Sequence, residues 1–281
     1  MKLLRYGPKG AEKPGMLDPD GAIRDLSAVV PDIAGEVLSD AGLARLKALD
    51  WKALPRLAGS PRLGAPVARP LNYFCIGLNY ADHAAETNSP IPKEPIVFLK
   101  SLGAYSGPND DVRIPRGTHK TDWEVELGVV IGRDAHYVPE ADALGHVAGY
   151  CVCNDVSERE YQLERGGTWD KGKGCDTFGP TGPWLVTRDE VPDPQALDMW
   201  LDVDGARMQH GNTRTMIFGV ARLVSYISQV MTLHQGDIIS TGTPPGVGSG
   251  KKPVPIFLKP GQTMRLGVAG LGEQRSRVLA D

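Results

Sequence analysis

Asp122-Trp123-Glu124-Val125-Glu126-Leu127-Gly128-Val129-Val130-Ile131 is the segment on which the reading of this chain turns. It alternates well enough for a strand, and its Val-Val-Ile end reads as buried. Strand side chains alternate faces, so Glu124 and Glu126 point one way while Val125 and Leu127 point the other, into packing. Glutamate is depleted in strands, and two carboxylates on one face repel unless a cation lies between them. A hard divalent ion answers both difficulties, because Mg2+, Mn2+ and Ca2+ prefer oxygen ligands. A solvated outer face with Lys120 or Arg133 as neighbours is the competing explanation of the pair.

Outward from this strand, Val147 to Cys153 reads as a second buried strand, with Cys151 and Cys153 on one face. A redox or zinc motif wants Cys-x-x-Cys, a spacing that Cys75, Cys151, Cys153 and Cys175 do not provide. Tyr73 to Ile76, Asp237 to Thr241 and Met264 to Val268 read as further strands, and Met199 to Gln209, turning at Asp204-Gly205, as a hairpin. Ser157-Glu158-Arg159-Glu160 fits a capping box and predicts a helix start. Asn79 to Thr87 predicts a short helix capped by Asn79. Met216 to Met231 is the clearest helix, with Ile217, Val220, Ala221, Val224, Ile227 and Met231 in one apolar stripe. Strands dominate and do not alternate regularly with helices, which argues against Rossmann and barrel architectures and for a β-rich α+β fold. The chain divides into a small N-terminal unit, residues 1–68, and a main domain, residues 71–281. In the first, Val37 to Leu49 has helical spacing, and the Pro-, Gly- and Arg-rich stretch Arg56 to Pro70 reads as a linker.

The bulk properties narrow the class. A net charge of -3 supplies no field to draw nucleic acid or an anionic membrane. No apolar run approaches the ~20 residues of a membrane span, and the start, Met1 to Gly7, is too short and too soon polar for a signal peptide. Cytoplasmic residence is the expectation. Glycine (34) and proline (23) make turns and short strands outnumber helices.

Four further stretches carry chemistry. Asp155 stands where a buried strand ends. It is either an ordinary turn or cap aspartate or a third carboxylate that completes a facial set of oxygens for a divalent ion, leaving positions for water and a chelating substrate. His83 and Glu86 are i and i+3 on the predicted helix. A carboxylate beside an imidazole fixes its tautomer, as a water-activating base requires; a surface pair is the plainer alternative. Lys171-Gly172-Lys173-Gly174 presents a glycine-flanked lysine that can approach an anionic oxygen. Ser240-Thr241-Gly242-Thr243-Pro244 exposes amides and hydroxyls suited to a carboxylate.

Taken together, Ile76-Gly77-x-Asn79-Tyr80-x-Asp82-His83-x-x-Glu86, Glu124-x-Glu126-Leu127-x-Val129-Val130-Ile131-Gly132, Asn154-Asp155-Val156-Ser157, Lys171-Gly172-Lys173 and Thr241-Gly242-Thr243-Pro244-x-Gly246-Val247-Gly248 resemble the fumarylacetoacetate hydrolase family, from about Leu71 to the C-terminus. The resemblance implies a β-roll of mixed strands, a variable N-terminal segment and a homodimer. It implies Mg2+ or Mn2+ on Glu124, Glu126 and Asp155, a water-activating dyad of His83 and Glu86, a substrate-binding Lys173, and Gln162 and Thr243 at the oxo-acid end of the substrate. Lys-Gly-Lys-Gly-Cys-Asp-Thr-Phe-Gly-Pro and Met208-Gln209-x-Gly211-x-Thr213-x-Thr215-Met216 are similar to the sugar-acid branch, which includes 2,4-diketo-3-deoxy-L-rhamnonate and -fuconate hydrolases and ureidoglycolate-lyase-like proteins. Trp123 and Gly128 depart from the Tyr and Ala of that pattern.

The function so implied is hydrolysis of a carbon–carbon bond in a 2,4-dioxo acid, to pyruvate and a second acid. Oxaloacetate decarboxylation and ureidoglycolate lysis are alternatives on the same metal. A metal-stabilised binding protein without turnover is the alternative of another class. A hydroxylated substrate tail is expected to meet Arg165, Thr168, Asp170, Asp176 and Thr177.

Overall fold

The computed structural model describes residues 1–281. The strand Val125–Ile131 lies in the middle of an 11-stranded mixed sheet, antiparallel to Val147–Asn154 on one side and to Ile238–Ser240 on the other. Tyr73–Gly77 and then Ile96–Leu99 extend the sheet beyond Ile238–Ser240. Gly179–Thr187 extends it beyond Val147–Asn154. A five-stranded sheet, running from Ala206–Asn212 through Asp198–Val203, Thr263–Val268 and Gly272–Ala280 to Val112–Ile114, packs against it. The fold is β-rich α+β; its longest helix is Val220–Val230, 11 residues.

The alternation read from the central strand is realised. Val125, Leu127, Val129 and Ile131 enter a 36-residue core shared with Met199, Leu201 and Leu266 of the second sheet. Val130 enters a separate 17-residue core on the opposite face. Glu126 points to that opposite face at the strand's start, where the core gives way to a cleft. Gly128 has a packing reason: a Cβ there would lie 2.5 Å from Cys153 Sγ and 2.8 Å from Cys151 Sγ, so an alanine would push on two buried sulfurs.

Residues 1–68 add their strands to the same sheet. Lys2–Tyr6 pairs with Gly179–Thr187, and Lys13–Leu17 and Ile23–Asp25 continue outward. Leu3, Leu26, Ile33 and Leu38 fill the 17-residue core together with Tyr73, Val130 and Leu185. The stretch read as a linker is packed: Leu63–Gly64 pairs with Lys2–Tyr6, and Ala65, Val67 and Ala68 are buried. Leu3 is fully buried at this seam. Leu3→Ala should therefore cost about 2–5 kcal/mol in chemical denaturation, as for other buried leucines; a loss below about 1 kcal/mol would mean that the seam is not part of the cooperative core.

Three local expectations change. The helix after Gly77 is Ala81–Glu86, and Asn79 does not cap it. Its amide donates to the carbonyls of Phe218 (3.1 Å) and Thr241 (2.7 Å) and its oxygen accepts from Phe218 N (2.9 Å), pinning the loop before the helix to two distant segments. Ser157-Glu158 is a short strand paired with Thr121–Asp122, not a helix start. Its capping groups are engaged elsewhere: Ser157 Oγ donates to the Asp155 carbonyl (2.9 Å) and the Glu158 carboxylate accepts from Lys120 N (3.1 Å) and Thr121 Oγ1 (2.8 Å). A π-helical turn, Glu160–Glu164, follows; such turns are frequent at functional sites. The stripe from Val37 to Leu49 is broken at Ser39 into a 3-10 turn, Gly35–Leu38, and a helix, Asp40–Lys47.

Candidate active site

Two antiparallel strands, Val125–Ile131 and Val147–Asn154, bring the carboxylates together. Glu126 faces Cys153 across the ladder, and Val125 faces Asn154. Asp155 therefore emerges beside Glu124, and Asp155 N donates to the Glu124 carbonyl at 2.9 Å. Carboxylate oxygens of Glu124, Glu126 and Asp155 all lie within 4.8 Å of one another, and all three residues are buried. Both bonds to Glu126 go to Oε2, from Ser240 Oγ (2.6 Å) and Gly242 N (2.8 Å). Burial pushes the Glu126 carboxyl well above the usual glutamate range, and the charges of Asp155 and Glu124 push it the same way. Burial also raises Glu124, but Lys173 and Arg159 beside it win and hold it below its ordinary value.

Cations crowd this cluster. Lys173 Nζ lies between Glu124 Oε2 (2.7 Å) and Asp155 Oδ2 (2.8 Å). Burial disfavours its ammonium, yet Asp155 and Glu124 raise its pKa above the lysine value, so it stays charged. Arg159 donates to Asp122 Oδ2 (2.8 Å), Glu124 Oε1 (2.6 Å) and Gln162 Oε1 (2.9 Å). Lys100 is buried behind Asp155. Its Nζ is 2.5 Å from Asp155 Oδ1 but directs hydrogen bonds to the carbonyls of Val156 (3.2 Å), Lys173 and Phe178 (3.0 Å), so Oδ1 keeps an ion pair without a directed hydrogen bond. Four carboxylates (Asp122, Glu124, Glu126, Asp155) thus face three cations (Lys100, Arg159, Lys173). With all of them ionised, one negative charge is in excess.

A second group faces the same cleft. His83 Nδ1 is 3.1 Å from Glu86 Oε2, and the Glu86 carboxylate accepts from Gly246 N at 3.0 Å. Burial raises Glu86, but the contact with His83 and the Gly246 N–H keep it below its usual value, so it remains an acceptor. That acceptor selects the tautomer with a proton on Nδ1 and a free lone pair on Nε2. The helix carrying His83 is docked through Asp82, which accepts from Thr215 Oγ1 at 3.2 Å. The cleft, about 220 Å3, is lined by His83, Glu124, Glu126, Arg159, Gln162, Lys173 and Thr243 among others. It is smaller than the ~300–1,000 Å3 of drug-sized sites, which suits a short acid. A larger cleft of about 720 Å3, between Ile114–His119 and Pro255–Pro260, contains none of these groups.

All eight residues singled out in the sequence as site residues are thereby placed in or beside one cleft. Thr243 lines it, but its hydroxyl donates to the Val125 carbonyl (2.9 Å) and accepts from Gln209 Nε2 (2.8 Å), so it also braces the carboxylate strand. The residues expected to meet a substrate tail are not there. Arg165, Thr168, Asp170 and Asp176 are exposed outside the cleft; Arg165 lies over the Tyr161 ring, and Thr177 Oγ1 accepts from Arg113 N. The loop after Gln162 turns outward at Gly166 and Gly167, both in the left-handed region (φ 87° and 75°), and returns only at Trp169. Sequence reading missed Arg159, Lys100 and Asp122. Lys100 leaves a signal, a lysine ending the apolar run Ile96-Val97-Phe98-Leu99.

The donor set fits a hard divalent cation. It is all oxygen, it is compact, and it already draws an ammonium onto two of its atoms.

A strand-rich fold that presents clustered carboxylates and an imidazole–carboxylate pair to one small cleft matches a known family. The Fumarylacetoacetate (FAA) hydrolase C-terminal family matches residues 72–279, and the chain belongs to it. A Burkholderia multivorans protein provisionally named a hydrolase is 69% identical over 274 residues, 98% of this chain and 97% of that one. The solved structure of fumarylacetoacetate hydrolase from psychrophilic Exiguobacterium antarcticum superposes with a TM-score of 0.87 at 33% identity, covering 100% of each chain. Maleylpyruvate hydrolase from Sphingobium sp. SYK-6, solved in complex with manganese (II) ion and pyruvate, superposes with a TM-score of 0.82 at 30% identity, covering 100% of this chain and 99% of that one. No helix is long and apolar enough to cross a membrane.

Proposed function

We propose that this protein is a divalent-metal-dependent hydrolase that cleaves the C3–C4 bond of a 2,4-dioxo acid to pyruvate and a second acid, with a 2,4-diketo-3-deoxy sugar acid as its substrate. The observation that carries this reading is the pairing, in one cleft, of three buried carboxylates with an oriented imidazole. The manganese- and pyruvate-bound maleylpyruvate hydrolase supports it, as an enzyme of this family that accommodates both species.

Glu124, Glu126 and Asp155 would hold Mg2+ or Mn2+, which when bound supplies a Lewis acid for the 2-oxo and carboxylate oxygens of the substrate. The chain's own groups do the rest. His83 Nε2 takes a proton from water, and Glu86 stabilises the imidazolium that forms. The hydroxide adds to C4. The C3–C4 bond then breaks, its electrons pass to C3, and the second acid and a pyruvate enolate result. The Lys173 ammonium faces the developing enolate, whose charge is the costly feature of the reaction. The proton on His83 returns to C3 and gives pyruvate. The single excess negative charge of the side-chain cluster becomes a single positive one with a divalent ion, which suits a monoanionic substrate. The His83–Glu86 pair favours turnover over a binding role, since a structural metal has no use for a base beside it.

The test is pyruvate release from a panel of acids with added Mg2+ or Mn2+. Release from 2,4-dioxo acids, abolished by chelator, is the expected result. Turnover of oxaloacetate or ureidoglycolate in preference would move the chemistry to those alternatives, and no turnover of any acid would contradict the reading.

A further inference from the structure

One backbone loop touches both halves of the proposed site. It follows the strand Ile238–Ser240 and carries glycines at 242, 246, 248 and 250. Gly242 N donates to Glu126 Oε2 (2.8 Å), and Gly248 N and Ser249 N donate to the two oxygens of Asp122 (2.6 and 2.9 Å), so both ends of the loop are fixed on the segment that carries the carboxylates. Between these ends, Gly246 N donates to the Glu86 carboxylate at 3.0 Å, and Glu86 Oε2 lies 3.1 Å from His83 Nδ1. The approach is too close for any side chain: a Cβ on Gly246 would lie 2.1 Å from the Met208 carbonyl oxygen, and one on Gly248 2.0 Å from that of Ile256.

Gly246 is free to turn unless it is held. Its φ of 106° suits glycine, and glycine has the widest choice of other conformations. Trp123 holds it. The indole Nε1–H donates to the Gly246 carbonyl oxygen at 3.1 Å, the only hydrogen bond that this buried oxygen accepts. Trp123 is itself 1% exposed and packed in the 36-residue core, so the donor is fixed in place. The ring does not line the cleft. Tyrosine, the residue of the family pattern at this position, would carry its hydroxyl two bonds further from the backbone, and phenylalanine has no donor, so the link is particular to tryptophan. Lys251 adds a favourable charge near Glu86, but its ammonium donates to the Met208 carbonyl.

We propose that Trp123 is a positioning residue for the base: by holding the Gly246 carbonyl it aims Gly246 N–H at Glu86, and so fixes the orientation and tautomer of His83. This rests on the proposed function, which makes His83 the base, and adds the link that ties the base to the strand of the carboxylate ligands. Without the indole N–H the buried Gly246 oxygen has no partner, and an unpaired buried carbonyl favours any rotation that finds one. Glu86 then loses the amide that steadies it. With Glu86 released, nothing selects the Nδ1–H tautomer, and the Nε2 lone pair that takes the proton from water is present only part of the time. The indole bonds none of Glu124, Glu126 and Asp155, so the metal site should be unaffected.

Trp123→Phe removes the N–H but also takes volume from the core. The decisive variant therefore replaces Trp123 by benzothienylalanine, which keeps the bicyclic shape and puts sulfur in place of the N–H. In that protein kcat for 5-hydroxy-2,4-dioxohexanoate should fall at least about fivefold, with KM and Mn2+ affinity within about twofold of native. In a Glu86→Ala background the same replacement should change kcat by less than about twofold, because the group through which it acts is gone. A smaller fall, an equal fall without Glu86, or a matching loss of Mn2+ affinity overturns the proposal. A second readout needs no turnover: nitrogen-15 NMR of labelled histidine, with His83 assigned by its loss in His83→Ala. The Nδ1–H tautomer should dominate in the native protein and give way to a mixture in the isostere; an unchanged tautomer overturns the proposal. Failure of any acid to release pyruvate would instead count against the proposed reaction, and the NMR comparison would still decide whether Trp123 orients His83.

Discussion

His83→Ala should lower kcat and kcat/KM together by about 10^2–10^4-fold, the usual contribution of a positioned general base. Metal affinity should stay at the native value, because His83 bonds Glu86 and lies outside the compact oxygen set of Glu124, Glu126 and Asp155. The fold should also be retained. The helix that carries His83 is held by other contacts, Asp82 to Thr215 and the Glu86 carboxylate to Gly246 N. Steady-state kinetics and calorimetric metal titration read the two halves of this prediction separately. A variant within about tenfold of native kcat, or one that no longer binds metal, would remove His83 from the role of base.

Glu126→Gln should have the opposite signature. It removes one charge from the oxygen set without removing the acceptor used by Ser240 Oγ and Gly242 N. Burial and the neighbouring carboxylates disfavour the ionised Glu126, so in the metal-free state the neutral amide should melt at or above the native temperature. Losing a partner that merely orients a ligand weakens metal binding about 10–100-fold; losing a charged ligand should cost at least the upper end of that range. Activity should be nearly absent at low Mg2+ and recover in part at high concentration. Unchanged Mg2+ affinity, measured by calorimetry, would exclude Glu126 as a ligand.

How much of this was legible in the sequence depends on the range of the contact concerned. The parity of Glu124 and Glu126 follows from the period of a strand, and the His83–Glu86 contact from the period of a helix; both are local geometry and both are realised. Asp155 was legible as the residue ending a buried strand, though only the pairing of Val125 with Asn154 brings it beside Glu124. Lys100 and Arg159 were not read. The first meets Asp155 across 55 residues, and the second lies in what resembled a helix cap until Thr121–Asp122 paired with Ser157–Glu158. The same limit explains the N-terminal strands: nothing local to Lys2–Tyr6 announces Gly179–Thr187 as its partner. The tail residues failed for another reason. Proximity in sequence to Lys173 is not proximity to the cleft: two left-handed glycines, Gly166 and Gly167, lie in the exposed loop that holds Arg165 and Thr168, Asp170 and Asp176 are exposed, and Thr177 is engaged by Arg113 N.

The central claim is hydrolysis of a carbon–carbon bond, and the pyruvate assay carried out in H2(18)O tests it most directly. With Mg2+ or Mn2+ present and 5-hydroxy-2,4-dioxohexanoate as substrate, one solvent oxygen should appear in the carboxylate of the second product, lactate, and the cleavage itself should place none in the carboxylate of pyruvate. Both products should form in equal amounts, and chelator should stop both. Pyruvate formed without an equivalent of labelled lactate, or cleavage that continues unchanged after the metal is removed, would contradict the account.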